Sequence, residues 1–351
     1  MASSPTGPRP DPFAPSTDPG LFVPTLGHAD CLVRLRQAIR RGPGLAVVTG
    51  GEGSGKTILV AALVRDLLAD QATGLAGDDR DGGPAGGETF VVGTISDPSL
   101  CRTDVQFLRA ILGQFGVPAG GRTGLDLLTR FQRALVGDTG DGIPTTGTLA
   151  GTPLLIIDDA ASLAGSHFEI LRGLLAFGDV AGPRAPRVVL LGRPELTDKV
   201  GRKRNLASRV TMSHALNPIN EEDTAALLAR RIAVAAGQTT GVAGGIVAGA
   251  SSPRFSPAAI VAIGERAGGV PAAILRAASA TFDLATRSGR ATVEASTVAA
   301  ALPVPATGTD LVLSGPGPTG LPPVSGALQT RLAFVVPADL DGTAPDPGGA
   351  R

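Results

Sequence analysis

Tryptophan and tyrosine are absent from this 351-residue chain, and 11 phenylalanines make up its whole 3% aromatic content. With no indole or phenol rings there is little to stack on unpaired bases, which argues against a platform for single-stranded nucleic acid. The 43% of hydrophobic residues must therefore build their core from Ala, Val, Leu and Ile. The two cysteines, Cys31 and Cys101, are too few for a disulfide framework or a zinc cluster and read as small buried hydrophobes of a reducing compartment. Neither sign of charge prevails, with 31 basic and 31 acidic residues, so no global field draws in a polyanion. Local basic patches at Arg34–Arg41 and Gly201–Arg209 leave phosphate contacts open, as they do plain solvated faces. No stretch of ~20 residues is both free of charge and apolar throughout, as a bilayer span requires. The opening "MASSPTGPRPDPFAPSTDPG" has no apolar run after a basic start. The expectation is a soluble, cytoplasmic protein with no membrane span.

Glycine (49) and proline (29) are plentiful but clustered, and the clusters divide the chain. Residues 1–12 and 303–351 read as disordered tails, although "LQTRLAFVV" in the second has the composition to dock. Gln71–Glu88, Gly137–Gly151 and Gly237–Ser252 read as surface loops. Between them "LAVVTG", "TFVVGTI", "PLLIIDDA" and "RVVLLG" are short apolar runs bounded by turn residues, as in parallel strands buried on both faces. The intervening segments carry apolar residues at three- and four-residue spacing, which predicts helices covering the sheet. After about Leu216 strand runs stop, and four helical patterns follow up to Leu302. The pattern predicts an α/β core with a parallel sheet over 13–215, then a small all-helical domain over 216–302.

Gly50–Thr57, "GGEGSGKT", fits G-x-x-x-x-G-K-[ST] between a strand and a helix. In that pattern Gly50, Gly51, Glu52, Gly53, Ser54 and Gly55 turn backbone N–H groups toward phosphates, and Lys56 reaches the β and γ oxygens. Thr57 offers its hydroxyl to Mg²⁺, and Ile58 opens the helix whose positive end faces the anion. "PLLIIDDA" ends a strand in carboxylates: Asp158 is the expected metal ligand and Asp159 the expected orienter of an attacking water. ATP and Mg²⁺ are thus the expected cofactors. The histidines His28, His167 and His214 have no spacing of a metal site or triad. For His28 a capping or surface role and packing near the adenine both stay open.

The ordered set "FAPSTDPGLFVPTLGHADCLVRLRQAI", the phosphate loop, "LLIIDDA", "VVLLGRPEL", "SRV", "LNPINEEDTAALLARRIAVAAG" and "GGVPAAILRAAS" resembles AAA+ ATPases of the general secretion pathway protein A group. That group is similar in turn to transposition helper ATPases and to the Orc1/Cdc6 branch. The likeness runs from Phe13 to Leu302. It implies a P-loop AAA+ core with a helical lid that works as a homo-oligomer, in which Arg209 reaches a neighbour's γ-phosphate. It also implies Arg193 and Arg276 as nucleotide sensors. Three positions depart from the group: Asp159 stands where Glu is usual, Arg193 where the strand end carries Gln, and Ala272 where an Arg follows the lid proline, with Arg276 one turn on as its substitute. A shorter carboxylate at 159 sits further back, and displacement by ~1 Å costs on the order of a hundredfold in rate. The expectation is therefore an ATPase of modest turnover, acting as a switch on a protein or DNA partner. The alternatives are a non-hydrolysing nucleotide-binding scaffold and a DNA transposition or initiation helper.

Overall fold

The computed structural model describes residues 11–72, 88–136, 149–236 and 253–302. The three expected surface loops, apart from their outermost residues, and both expected tails, apart from residues 11 and 12, lie outside them. The described chain begins with a strap, residues 11–25, and then runs α1 (Leu26–Arg41), β1 (Gly44–Gly50), α2 (Lys56–Ala72), β2 (Phe90–Ile95), α3 (Asp104–Gln114) and α4 (Gly124–Val136). It continues through β3 (Thr152–Ile157), α5 (Gly165–Ala176), a short α6 (Gly178–Ala181), β4 (Arg187–Gly192), α7 (Glu195–Gly201), α8 (Arg204–Ala207) and β5 (Val210–Leu216). The last part holds α9 (Glu221–Ala235), β6 (Arg254–Phe255), α10 (Pro257–Arg266), α11 (Pro271–Arg287), β7 (Thr292–Val293) and α12 (Ala295–Ala301).

The five long strands form one parallel sheet in the order β2-β3-β4-β1-β5. The apolar runs explain this arrangement, because strands covered on both faces need a side chain that is apolar at every position. Leu45 and Val47 of β1, Leu155 and Ile157 of β3, and Val188 and Leu190 of β4 point to one face and join a cluster built on α3, α4 and α5. Ala46, Val48, Leu154, Ile156, Val189 and Leu191 point to the other face and pack with α1 and α2. The period of two thus divides each strand between two cores.

The fifth strand was not anticipated. In "VTMSHAL" only Met212 and Leu216 are fully buried, so it alternates like an edge strand and carries no continuous apolar run. Helices α9 to α12 form the expected second layer of helices around a third cluster containing Leu228, Ile263, Ile274 and Val298. This lid also holds the two-residue parallel pair β6–β7, so it is not purely helical. The strap joins it: Phe13 is 2% exposed and sits edge-on to Phe255 and Phe282, with ring centroids 5.7 and 5.5 Å away. Among the described residues no helix is long and apolar enough to cross a membrane.

Candidate nucleotide site

All the strand ends that matter lie at one edge of the sheet, because parallel strands put their C-termini together. At the end of β1 the chain turns through Gly53 (φ +75°) and Gly55 (φ +91°), backbone conformations that side-chain-bearing residues rarely adopt. It then enters α2 at Lys56, whose first turn has N–H groups with no acceptor inside the helix. The Lys56 ammonium donates to the carbonyls of Gly50 and Gly51 at 2.9 and 2.8 Å and to Ser54 Oγ at 3.3 Å. Partial burial depresses its pKa, while Asp158 acts in the opposite direction.

At the end of β3, Asp158 accepts a hydrogen bond of 2.7 Å from the Thr57 hydroxyl on Oδ2. Its other oxygen accepts the Asp159 N–H at 2.8 Å. Asp159 itself is left-handed, φ 46° and ψ 38°, the one non-glycine residue with positive φ among the described residues. Aspartate tolerates this conformation better than most residues, yet it still costs about 1 kcal/mol. Such strain is a common mark of functional turns, and here it turns an exposed carboxylate out of the strand beside the metal-ligand candidate.

A cavity of about 350 Å³ opens beside the loop. Gly53, Gly55, Lys56, Thr57 and Ile58 line one part of it, and the strap and the lid line the rest. The lid is tied directly to the loop, since the Ala272 N–H donates to the Gly53 carbonyl at 3.1 Å. A Cβ on Gly53 would stand 2.6 Å from the Ala272 Cβ, so glycine at 53 and a small residue at 272 are required together. The residues present fit Mg²⁺ and a nucleotide: a glycine-turned loop at a helix start, an ammonium within it, and a hydroxyl paired with a carboxylate.

Residues 39–200 match the family described as AAA domain. Over these residues the chain resembles AAA+ domains. It is similar to the general secretion pathway protein A of Aeromonas hydrophila, at 27% identity over 262 residues, 74% of this chain and 40% of that protein. The chain therefore spans about two fifths of that relative's length. It shares its fold with Cdc6p from Pyrobaculum aerophilum (17% identity, TM-score 0.55, 80% of this chain and 67% of that one). The same holds for the Aeropyrum pernix ORC1 protein in complex with DNA (16% identity, TM-score 0.55, 83% of this chain and 67% of that one).

The expected sensors are unequally placed. Arg276 lines the cavity from α11. Arg193, just past β4, is 61% exposed and lies 3.8 Å from the Glu52 carboxylate of the phosphate loop. Arg209 precedes β5 at the opposite end of the sheet, beside Leu45, and donates to the Leu175 carbonyl near the end of α5 at 3.0 Å. It takes no part in the cradle of this chain.

Two residues of the site were not foreseen in these roles. His28, 5% exposed, faces the phosphate loop: Nε2 lies 2.8 Å from the Ser54 carbonyl and Nδ1 2.6 Å from Thr25 Oγ1. Because a carbonyl only accepts, Nε2 carries the proton, and the Thr25 hydroxyl donates to Nδ1. Burial pushes the His28 pKa down, against the Ser54 hydrogen bond and Asp223. Arg231 on α9 is 4% exposed, lines the cavity and holds the Ala14 carbonyl at 3.0 Å. Both lie in segments that carry the family resemblance, but nothing local marks them, because each helix holds other charged residues.

Proposed function

We propose that this AAA+ protein binds Mg-ATP and acts as an oligomeric switch on a protein or DNA partner, with modest hydrolysis. The observation that carries the reading is the single cavity that runs from the phosphate loop to the lid, with the Thr57–Asp158 pair at the loop. Lys56 would exchange the Gly50 and Gly51 carbonyls for phosphate oxygens, a trade of neutral acceptors for charged ones. Gly53, Ser54 and Gly55 would present backbone N–H groups, and Thr57 with Asp158 would hold Mg²⁺. The bound nucleotide supplies a terminal phosphate whose transfer develops charge that cations stabilise. Asp159 would accept a hydrogen bond from the attacking water. Arg193 and Arg276 would register the phosphates, with Arg276 in place of the arginine that Ala272 lacks.

Arg209, remote from its own cradle, would serve a neighbouring copy. Losing its bond to Leu175 would accompany that reach. The lid over 216–302 would then relay nucleotide state, since α11 already bonds the loop through Ala272. A scaffold reading that excludes hydrolysis is favoured by one feature, the short carboxylate of Asp159 in a strained turn.

Steady-state ATP hydrolysis across a range of protein concentrations, with and without duplex DNA and with Lys56→Ala as the blank, tests the proposal. Turnover that is slow, above the blank and steeper than linear in protein supports shared sites. Stimulation by DNA would assign the partner. Tight nucleotide binding with no turnover at any concentration would replace the switch with the scaffold, and absence of nucleotide binding would end both.

A further inference from the structure

Thr25 stands at the N-cap of α1, where a threonine hydroxyl ordinarily accepts an N–H of the helix's first turn. Here it makes no such bond. The hydroxyl lies instead 2.6 Å from Nδ1 of His28, whose other ring nitrogen, Nε2, donates to the Ser54 carbonyl at 2.8 Å. All three residues are buried. Burial pushes the pKa of the ring down and keeps it neutral, against the Ser54 bond and Asp223, so Nδ1 remains an acceptor for the hydroxyl. Nε2 is the one donor that the Ser54 carbonyl meets among the described residues. A trans peptide points its C=O and N–H in opposite directions, and no described peptide bond is cis. The hold on the Ser54 carbonyl therefore aims the Gly55 N–H away from the ring, and that N–H has no acceptor among the described residues. Gly55, at φ +91°, gives this peptide the freedom to turn over, which an anchor on its carbonyl removes. The ring is pressed against the loop as well, since a Cβ on Gly55 would stand 2.8 Å from Nε2.

We propose that His28 is a positioning residue of the phosphate loop: by holding the Ser54 carbonyl it fixes the Ser54–Gly55 peptide with its N–H free for a phosphate oxygen. Thr25 serves the same end by holding the ring in the tautomer and orientation that this requires. The proposal rests on the nucleotide reading above and adds to it two residues outside the loop's own pattern. Because the fixed N–H serves phosphate, the effect belongs to any polyphosphate, with or without a base. A histidine that only packs would act on stability and leave affinity alone, and one that touches the base would act on ATP alone.

The test uses the full chain, calorimetric binding of ATP and of inorganic tripolyphosphate with Mg²⁺ present, and denaturant melts. The proteins are the wild type, His28→Leu, His28→Gln and Thr25→Val. His28→Leu fills the space without a donor and is expected to weaken both ligands by a similar factor, about tenfold, the worth of one hydrogen bond to a charged group. His28→Gln, whose amide can donate to Ser54, should recover most of that affinity for both. Thr25→Val keeps the shape and loses only the hydroxyl, and should show a smaller loss of the same kind, about threefold. If His28→Leu fails to fold, Thr25→Val decides: an equal loss of both ligands supports the proposal, and unchanged affinity overturns it. A folded His28→Leu that is less stable but binds both ligands as the wild type does would also overturn it. So would a loss confined to ATP, which would assign the ring to the base, or a loss that His28→Gln does not recover. If the wild type binds neither ATP nor tripolyphosphate, the nucleotide reading falls together with the proposal. If it binds both and the variants bind them equally well, only the positioning role is lost.

Discussion

Strand β4 carries an arginine at each end, and the two live in opposite environments. Arg187 opens the strand, 4% exposed, with Nη2 2.6 Å from Glu88, Nε 2.6 Å from the Ile39 carbonyl and its guanidinium 5.4 Å from the centre of the Phe90 ring. Arg193 follows the strand's other end, 61% exposed and 3.8 Å from a glutamate that is itself 90% exposed. The first is saturated with protein partners and has nothing left to offer a ligand. The second is weakly held and stands beside the phosphate loop. On β4, then, the arginine at the N-terminal end is spent on the fold, while the one past the C-terminal end stands beside the phosphate loop.

The sharpest way to break this comparison is to remove each side chain's charge in turn. Arg187→Met should lower unfolding free energy by about 2 to 4 kcal/mol, because it strips Glu88 and the Ile39 carbonyl of their partner. Glu88 is half-buried, which holds the loss below that of a fully enclosed pair. Nucleotide affinity of the folded fraction should be unchanged. Arg193→Met should shift stability by less than about 0.5 kcal/mol while changing hydrolysis. Denaturant melts paired with ATP binding measure both, and an Arg193 variant that destabilises more than the Arg187 variant would reverse the argument.

A smaller effect is expected from Gly53→Ala. The new methyl would meet Ala272 at 2.6 Å and the φ of +75° disfavours it, so the lid must move off the loop. Affinity for ATP should fall about tenfold, in line with ~1.4 kcal/mol per decade, and the strained φ should lower the denaturant midpoint as well. Gly51→Ala, where an added Cβ meets nothing within 4 Å, is the matched control. Equal losses at 53 and 51 would mean that lid contact is not what glycine 53 protects.

What was legible in the chain follows the same division. The C-terminal edge announced itself, because phosphate binding imposes a contiguous spacing on Gly50 to Thr57 and places Asp158 at the end of an apolar run. Strand β5 hid because an edge strand needs apolar residues only at alternate positions, and "VTMSHAL" spends the rest on polar ones. His28, Arg231 and Phe13 hid for another reason. Their partners, Ser54, Ala14 and Phe255, lie 26, 217 and 242 positions away in the sequence, and no local period encodes a contact made by chain reversal. The left-handed turn at Asp159 was likewise invisible, since aspartate occurs freely in ordinary turns.

The mildest probe of the two edges is pH. Arg187 keeps its charge throughout the accessible range, so the N-terminal edge is indifferent to pH on its account. His28 at the cradle is different. Burial lowers its folded-state pKa, Asp223 partly opposes the shift and His214 adds to it. His167, stacked on Phe107 at 4.4 Å with neither ring nitrogen hydrogen-bonded, is lowered in the same direction by burial, against Asp104. A histidine lowered on folding binds its proton more readily in the unfolded chain. Its contribution is therefore complete above the ordinary value of 6.5 and is lost as pH falls below it. Between pH 7 and 5 the wild type should lose stability at up to ~1.4 kcal/mol per pH unit for each such histidine. His28→Gln, whose amide can still donate to Ser54, should flatten that slope by one histidine's share and leave His167 to supply the remainder. A slope unchanged by His28→Gln would place the titrating group elsewhere.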